Sequence, residues 1–234
     1  MFPFARDNAQ KYLESQWSEP CVLKAVEGLR KLAAEDRENK LDGFQDIPTE
    51  PKEEQIEGLV KNLTWLMSED RKVGPLKTMQ GLIWKSGFQS GALTGHVYDD
   101  VAPALELWHS GEDRRVFVYS SGSIFAQKLL FGNTQAGDLR GHLTGYFDTE
   151  VGAKTEAQSY RNIVNKINAT ASEVLFLTDI YEEAAAAIEA GLNAALVLRE
   201  GNLPLPPSAA SVTQLQSFAD LSVAKKRKAD SQVL

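Results

Sequence analysis

The sequence predicts an α/β protein in which a helical first half is followed by a parallel sheet with helices. Residues 1 to about 95 carry apolar side chains at helical spacing only, whereas residues from about 99 to 222 alternate short apolar strands with helices. Strands that alternate with helices are typical of βαβ units. We therefore expect a helical domain over 1–95, an α/β domain over 96–222 and a tail over 223–234.

The first half predicts four helices, which begin near Phe4, Val22, Glu53 and Leu76. In each of them apolar residues return every three to four positions, as on one face of a helix. The stretch Leu41–Pro51 separates the second helix from the third, and it contains an Asp-Gly pair and two prolines. Such residues predict a loop.

The second half predicts three strands at Arg115–Tyr119, Val174–Leu177 and Ala194–Leu198, with a shorter extended piece at Tyr146–Phe147. The runs between them are helical in pattern, and the last apolar helix is expected over Gln214–Leu221. In a parallel sheet of this kind, ligands bind beyond the carboxyl ends of the strands. Functional residues are therefore expected directly after each strand.

Composition excludes several functions. The 234 residues contain 25 Lys and Arg against 32 Asp and Glu, so the net charge of −7 argues against nucleic-acid binding. One Cys and three His provide neither a disulfide nor a zinc site, so any metal should be a hard cation on oxygen ligands. No apolar stretch reaches the roughly 18 residues of a membrane span. We expect a monomeric protein without a membrane partner.

A hydroxyl-rich turn, Ser120-Ser121-Gly122-Ser123, follows the first strand and precedes a helix. Free backbone N–H groups and the partial positive charge at a helix N-terminus suit a phosphate group. The alternative is an ordinary serine N-cap.

Two further charged residues, Lys154 and Asp179, lie next to predicted strands or helices. Asp179 follows the second strand, where a carboxylate suits Mg²⁺, although it would also suit the cap of the next helix. Lys154 precedes an amphipathic helix, where it would either pair with a phosphate or remain a solvated surface group.

The order Ser, Lys, Asp resembles the haloacid-dehalogenase-like phosphatases, whose core is a Rossmann-like parallel sheet beside a helical cap. Four segments resemble the enolase-phosphatases of methionine salvage more closely, over nearly the whole chain from Met1 to about Leu221. They are WLMSEDRKVGPLKTMQGLIW, VYSSGSIFAQKLLFG, YFDTEVGAKTEAQSY and FLTDIYEEAAAAIEAG.

This resemblance implies a role for each candidate residue. Ser120 and Ser121 would bind the substrate phosphate, and Lys154 would hold the phosphate and stabilise the nucleophile's charge. Asp179 would bind one Mg²⁺, with Glu183 as an outer-shell acid. The family's substrate is 2,3-diketo-5-methylthiopentyl-1-phosphate, which is enolised and then dephosphorylated to acireductone. The helical half would be the cap that closes over it.

The sequence departs from the family at one motif. The family's first strand ends in D-x-E-G-T, whose first carboxylate accepts the phosphoryl group, and no D-x-[DE]-[GS]-T occurs here. We expect that the sequence begins downstream of this strand, through an incomplete gene model or an alternative start, and that it shows no turnover alone. Two alternatives to the family phosphatase stay open: a non-catalytic phosphate-binding or regulatory relative, and a phosphatase for another phosphoester.

The tail contains Lys225, Lys226, Arg227 and Lys228 against Asp230 alone. It is either a disordered charged end or a nuclear-import signal. We expect a cytoplasmic protein, with nuclear entry if the import signal is real.

Overall fold

The computed structural model describes residues 1–111 and 114–221, so the basic tail lies outside the described residues. The chain divides into two compact units. The first contains Met1–Gly95 and Lys128–Asn133, and the second contains His96–Gln127 and the residues from Thr134 onward. The stretch Lys128–Asn133 thus belongs to the first unit, although it follows the boundary expected at residue 95.

Four helices build the first unit: α1 (Phe2–Gln16), α2 (Pro20–Glu38), α3 (Lys52–Ser68) and α4 (Gly74–Gln89). A proline stands in the first turn of α1, α2 and α4, where its missing N–H costs no hydrogen bond. One face of each helix supplies the core, whose fully buried side chains include Leu13, Val22, Val26, Leu29, Leu59, Leu63, Leu66 and Met79.

The second unit alternates helices and strands. Its elements are α5 (Val101–Glu106), a π-helical turn (Leu107–Gly111), β1 (Phe117–Tyr119), α6 (Ile124–Gly132), β2 (Gly145–Phe147), α7 (Ala157–Ile167), β3 (Leu175–Thr178), α8 (Tyr181–Glu189), β4 (Asn193–Val197) and β5 (Thr213–Leu215). Helix α6 ends in residues that belong to the first unit. No helix within 1–111 and 114–221 is long and apolar enough to cross a membrane.

All strand pairs are parallel, and they form two sheets. β1 pairs with β2 from Phe117 opposite Gly145, whereas β4 lies between β3 and β5 in a second sheet. A ring cluster joins the two sheets, because Tyr119 of β1 and Phe176 of β3 both pack on Tyr160 of α7. The carboxyl ends of β1 and β3, where candidate residues begin, therefore belong to two sheets of the same unit that make contact through this ring cluster.

One expectation about secondary structure is wrong, and one expected strand begins later than predicted. The predicted helix over Gln214–Leu221 is largely absent, because Thr213–Leu215 forms β5 beside β4. Three residues are too few to show the period-2 alternation of a strand, so only pairing with β4 identifies them. The strand predicted over Arg115–Tyr119 begins at Phe117, since Arg115 lies on the surface and donates a hydrogen bond to the Ile167 carbonyl.

Candidate active site

The serine-rich loop leads from β1 into α6. The Ser120 N–H donates to the Phe147 carbonyl of β2 at 3.1 Å, and Ser120 Oγ accepts from the Gly122 N–H at 3.1 Å. Ser123 Oγ accepts from the Ala126 N–H at 3.3 Å, so Ser123 is a helix N-cap. Of the two interpretations of this turn, a phosphate site or an ordinary serine N-cap, the N-cap therefore applies to Ser123.

Ser121 is in a different position from its neighbours. Its hydroxyl and N–H, like the N–H of Ser123, make no hydrogen bond within 1–111 and 114–221. The buried Gln127 side chain holds this loop against β2, because Nε2 donates to the carbonyls of Gly122 and Phe147, both at 2.8 Å. The loop thus presents a hydroxyl and two N–H groups at a helix N-terminus, an arrangement that suits an anion.

Lys154 is not a free surface group, because it forms an ion pair with Glu183. Its Nζ lies 2.6 Å from Glu183 Oε1, and the two side chains are 27% and 9% exposed. The other carboxylate oxygen of Glu183 accepts from the Thr178 hydroxyl at 2.6 Å. The ion pair therefore links the segment before α7 to the end of β3 and the first turn of α8.

Two tyrosines fix the backbone of the Lys154 segment. The Tyr160 hydroxyl donates to the Lys154 carbonyl at 2.6 Å, and the Tyr119 hydroxyl donates to the Gly152 carbonyl at 2.8 Å. Burial raises the pKa of both phenols, and the nearby Glu183 carboxylate raises the pKa of each further. Both hydroxyls therefore stay protonated donors at neutral pH.

Asp179 follows β3 on the exposed side of the same strand end. It does not cap α8, whose N-cap residue is Ile180 and has no side-chain capping bond. Instead, Asp179 Oδ2 accepts a hydrogen bond from Asn202 Nδ2 at 2.9 Å. Asp179 Oδ1 makes no hydrogen bond in the described part of the chain, so this oxygen is available to a cation.

The structure thus joins Lys154, Glu183 and Thr178 by direct contacts, with Asp179 next in sequence to Thr178. No hydrogen bond or ion pair among the described residues links Ser120 or Ser121 to this cluster. A shared phosphate site for all of them remains a prediction. The described residues contain no group of three or more His, Cys, Asp or Glu side chains that would hold a metal alone.

Sequence reasoning missed three residues that touch this region. Thr178 binds Glu183, and Asn202 binds Asp179. Asp148, directly after β2, accepts from the Ile124 N–H at 3.1 Å at the start of α6. All three stand at or beyond the carboxyl end of a strand, which is the one signal that would have found them.

Comparison with known proteins places this geometry in a family. A family model for haloacid dehalogenase-like hydrolases matches residues 17–191. The enolase-phosphatase E1 of Anopheles gambiae is 44% identical over 232 residues, which are 99% of this chain and 78% of the relative. The enolase-phosphatase E1 of Aedes aegypti is 43% identical over 233 residues, but the chain spans only 21% of that longer relative.

Among solved structures, the UTR4 protein of Saccharomyces cerevisiae superposes with a TM-score of 0.70 at 32% identity. The match covers 93% of this chain and 88% of the yeast protein. The fold described above is therefore shared along nearly the whole chain.

Proposed function

The chain belongs to the haloacid dehalogenase-like hydrolases and, within them, to the enolase-phosphatases of methionine salvage, and we propose that Ser120, Ser121, Lys154 and Asp179 hold the phosphate group of its substrate. The observation that carries this proposal is the Lys154–Glu183–Thr178 cluster beside Asp179 at the end of β3. A partly buried cation, held by an ion pair near the carboxyl edge of a parallel sheet, suits a phosphorylated ligand.

The loop at β1 supplies neutral donors for the phosphate. The Ser121 hydroxyl and the N–H groups of Ser121 and Ser123 need no rearrangement to donate, because they have no partner in the described chain. Ser120 contributes mainly by shaping the turn, since its Oγ already accepts from the Gly122 N–H. We therefore assign Ser121 the direct contact and Ser120 the supporting one.

Lys154 supplies the positive charge. An ammonium group has three N–H donors, so Lys154 can keep Glu183 and still donate to a phosphate oxygen. Glu183 is 9% exposed and bound by both Lys154 and Thr178, which holds Nζ in one place. Glu183 is thus a positioning residue for Lys154, and its own carboxylate oxygens are already occupied.

One carboxylate at the candidate site, that of Asp179, is of the kind that binds Mg²⁺. Mg²⁺ is commonly bound by one or two carboxylates together with substrate phosphate and water. Asp179 offers one exposed carboxylate oxygen of this kind. When bound, the ion would neutralise charge on the phosphate. No D-x-[DE]-[GS]-T acceptor motif occurs among the 234 residues, so the roles proposed for these residues are limited to holding the phosphate and the ion.

The proposal is tested by equilibrium binding to the 234-residue chain. With Mg²⁺, the chain should bind 2,3-diketo-5-methylthiopentyl-1-phosphate more tightly than phosphoglycolate, and Lys154→Ala should weaken binding at least tenfold. Lys166→Ala, an exposed lysine at the end of α7, is the matched control and should bind like the wild type. Equal binding by Lys154→Ala would remove Lys154 from the site, and a preference for phosphoglycolate would favour another phosphoester.

A further inference from the structure

The segment after β4 reaches Asp179 through a single side chain. Asn202 Nδ2 donates to Asp179 Oδ2 at 2.9 Å, and Asn202 Oδ1 accepts from the Arg199 N–H at 2.6 Å. The two partners fix the amide's orientation, because a carboxylate only accepts and a backbone N–H only donates. Asn202 therefore bridges the loop after β4 and the residue after β3.

Two hydrogen bonds and one glycine define the turn that carries Asn202. The Asn202 N–H donates to the Arg199 carbonyl at 3.1 Å, which closes a four-residue turn. Gly201 stands at the third position with a φ of +89°, the left-handed conformation that this turn position needs. The hydrogen bond that the Arg199 N–H donates to Asn202 Oδ1 closes the same turn a second time.

The turn is also anchored to the body of the second unit. Arg199 donates to Asp100 at 2.6 Å, and the guanidinium lies 4.6 Å from the centroid of the Tyr98 ring. Asp100 in turn accepts from the Ser217 hydroxyl at 2.8 Å and the Phe218 N–H at 2.7 Å. The turn that carries the Asn202 amide is therefore tied through Arg199 and Asp100 to the residues after β5.

We propose that Asn202 is a positioning residue for Asp179: it holds Oδ2 and thereby turns Oδ1 toward a divalent cation. This inference rests on the metal role proposed above for Asp179. A hydrogen-bond donor that occupies one carboxylate oxygen selects the geometry in which the other oxygen binds, and losing such a partner typically weakens metal binding 10–100-fold.

The test measures Mn²⁺ binding to the 234-residue chain by electron paramagnetic resonance, with thermal unfolding as the check on folding. Asn202→Ala should raise the Mn²⁺ dissociation constant about tenfold. Leu203→Ala, the adjacent exposed residue, should match the wild type, and Asp179→Asn should lose the site. Binding by Asn202→Ala within about twofold of the wild type, while Asp179→Asn loses it, would overturn the inference. Unchanged binding by Asp179→Asn would instead refute the metal role of Asp179, and this inference with it.

A second measurement does not depend on an Asn202 variant that folds. In the wild-type chain, Mn²⁺ should broaden the side-chain NH₂ signals of Asn202 in a ¹⁵N–¹H spectrum. The corresponding signals of Asn168, at the end of α7, should be broadened less. The broadening should vanish in Asp179→Asn. Sharp Asn202 signals at full Mn²⁺ occupancy would place the ion elsewhere and overturn the inference.

Discussion

Gly152 shows how one residue sets the position of a functional side chain two residues away. Its φ is +126°, a conformation that side-chain-bearing residues rarely adopt. A Cβ atom at this position would also collide with Ser159 Oγ on α7. The bend at Gly152 directs the chain to Lys154, while Tyr119 and Tyr160 hold the carbonyls of Gly152 and Lys154.

Replacing Gly152 should therefore damage both stability and phosphate binding. Gly152→Ala should lower the free energy of unfolding by about 1–3 kcal/mol, the usual cost of a strained backbone conformation. Gly141→Ala is the matched control, because its Cβ would meet no atom within 4 Å. Urea unfolding of the two variants tests the difference, and equal stability would show that the bend is not required.

At the scale of elements, an ion pair in the first unit ties α2 to the segment after α3. Arg71 donates to both carboxylate oxygens of Asp36, at 2.5 and 2.9 Å, and Asp36 is 4% exposed. The Arg71 guanidinium also lies 5.2 Å from the centroid of the Trp65 ring. Removing Asp36 would leave the partly buried Arg71 guanidinium, 21% exposed, without its ionic partner.

Asp36→Ala should therefore lower the free energy of unfolding by about 3 kcal/mol. The nearby pair Lys72–Asp70 is exposed, with side chains 57% and 85% accessible, so Lys72→Ala should change stability by less than about 1 kcal/mol. Chemical denaturation of both variants checks the contrast. A loss for Asp36→Ala as small as that for Lys72→Ala would contradict a structural role for the Arg71–Asp36 pair.

The elements themselves were largely predictable from the sequence. Helical spacing located α1–α4, and the apolar runs located β3 and β4, because these segments are long or strongly patterned. The segment β5 was not predictable, since its three residues depend on pairing with β4.

The candidate site was predictable only as separate residues. Strand ends and family resemblance identified Ser121, Lys154 and Asp179, but the partners that hold them are distant in sequence. Asn202 lies 23 residues beyond Asp179, and Glu183 lies in the next helix after Thr178. Such contacts arise from the tertiary arrangement of the strands, which local pattern does not encode.

For the molecule as a whole, Asp100 and Arg199 connect the start of the second unit to its last strands. Burial alone would raise the pKa of Asp100, but hydrogen bonds from Arg199, the Phe218 N–H and Ser217 outweigh it and hold the pKa below the usual 3.8. A carboxyl group whose pKa is lower in the folded than in the unfolded state stabilises the fold above its unfolded pKa. That contribution is lost as the pH falls through the folded pKa.

Asp100→Asn should therefore lower the free energy of unfolding by about 2 kcal/mol at pH 7, because hydrogen bonds to a charged group are lost. The difference from the wild type should begin to shrink as the pH falls below about 4, where the carboxyl of the unfolded chain becomes protonated, and should shrink further as the folded carboxyl is protonated at lower pH. Urea unfolding at several pH values measures this. Asp7→Asn, at an exposed ion pair, should show little loss at any pH. A difference for Asp100→Asn that stays constant down to pH 3 would contradict the ionic role.

The central claim is that the serine loop and the Lys154–Asp179 region hold one phosphate. A crystal structure of the 234-residue chain with Mg²⁺ and inorganic phosphate tests it most directly. We expect one phosphate with oxygens at hydrogen-bond distance, about 2.7–3.2 Å, from both Ser121 Oγ and Lys154 Nζ, and a Mg²⁺ on Asp179 Oδ1. A phosphate bound by only one of these groups, or by neither, would contradict it.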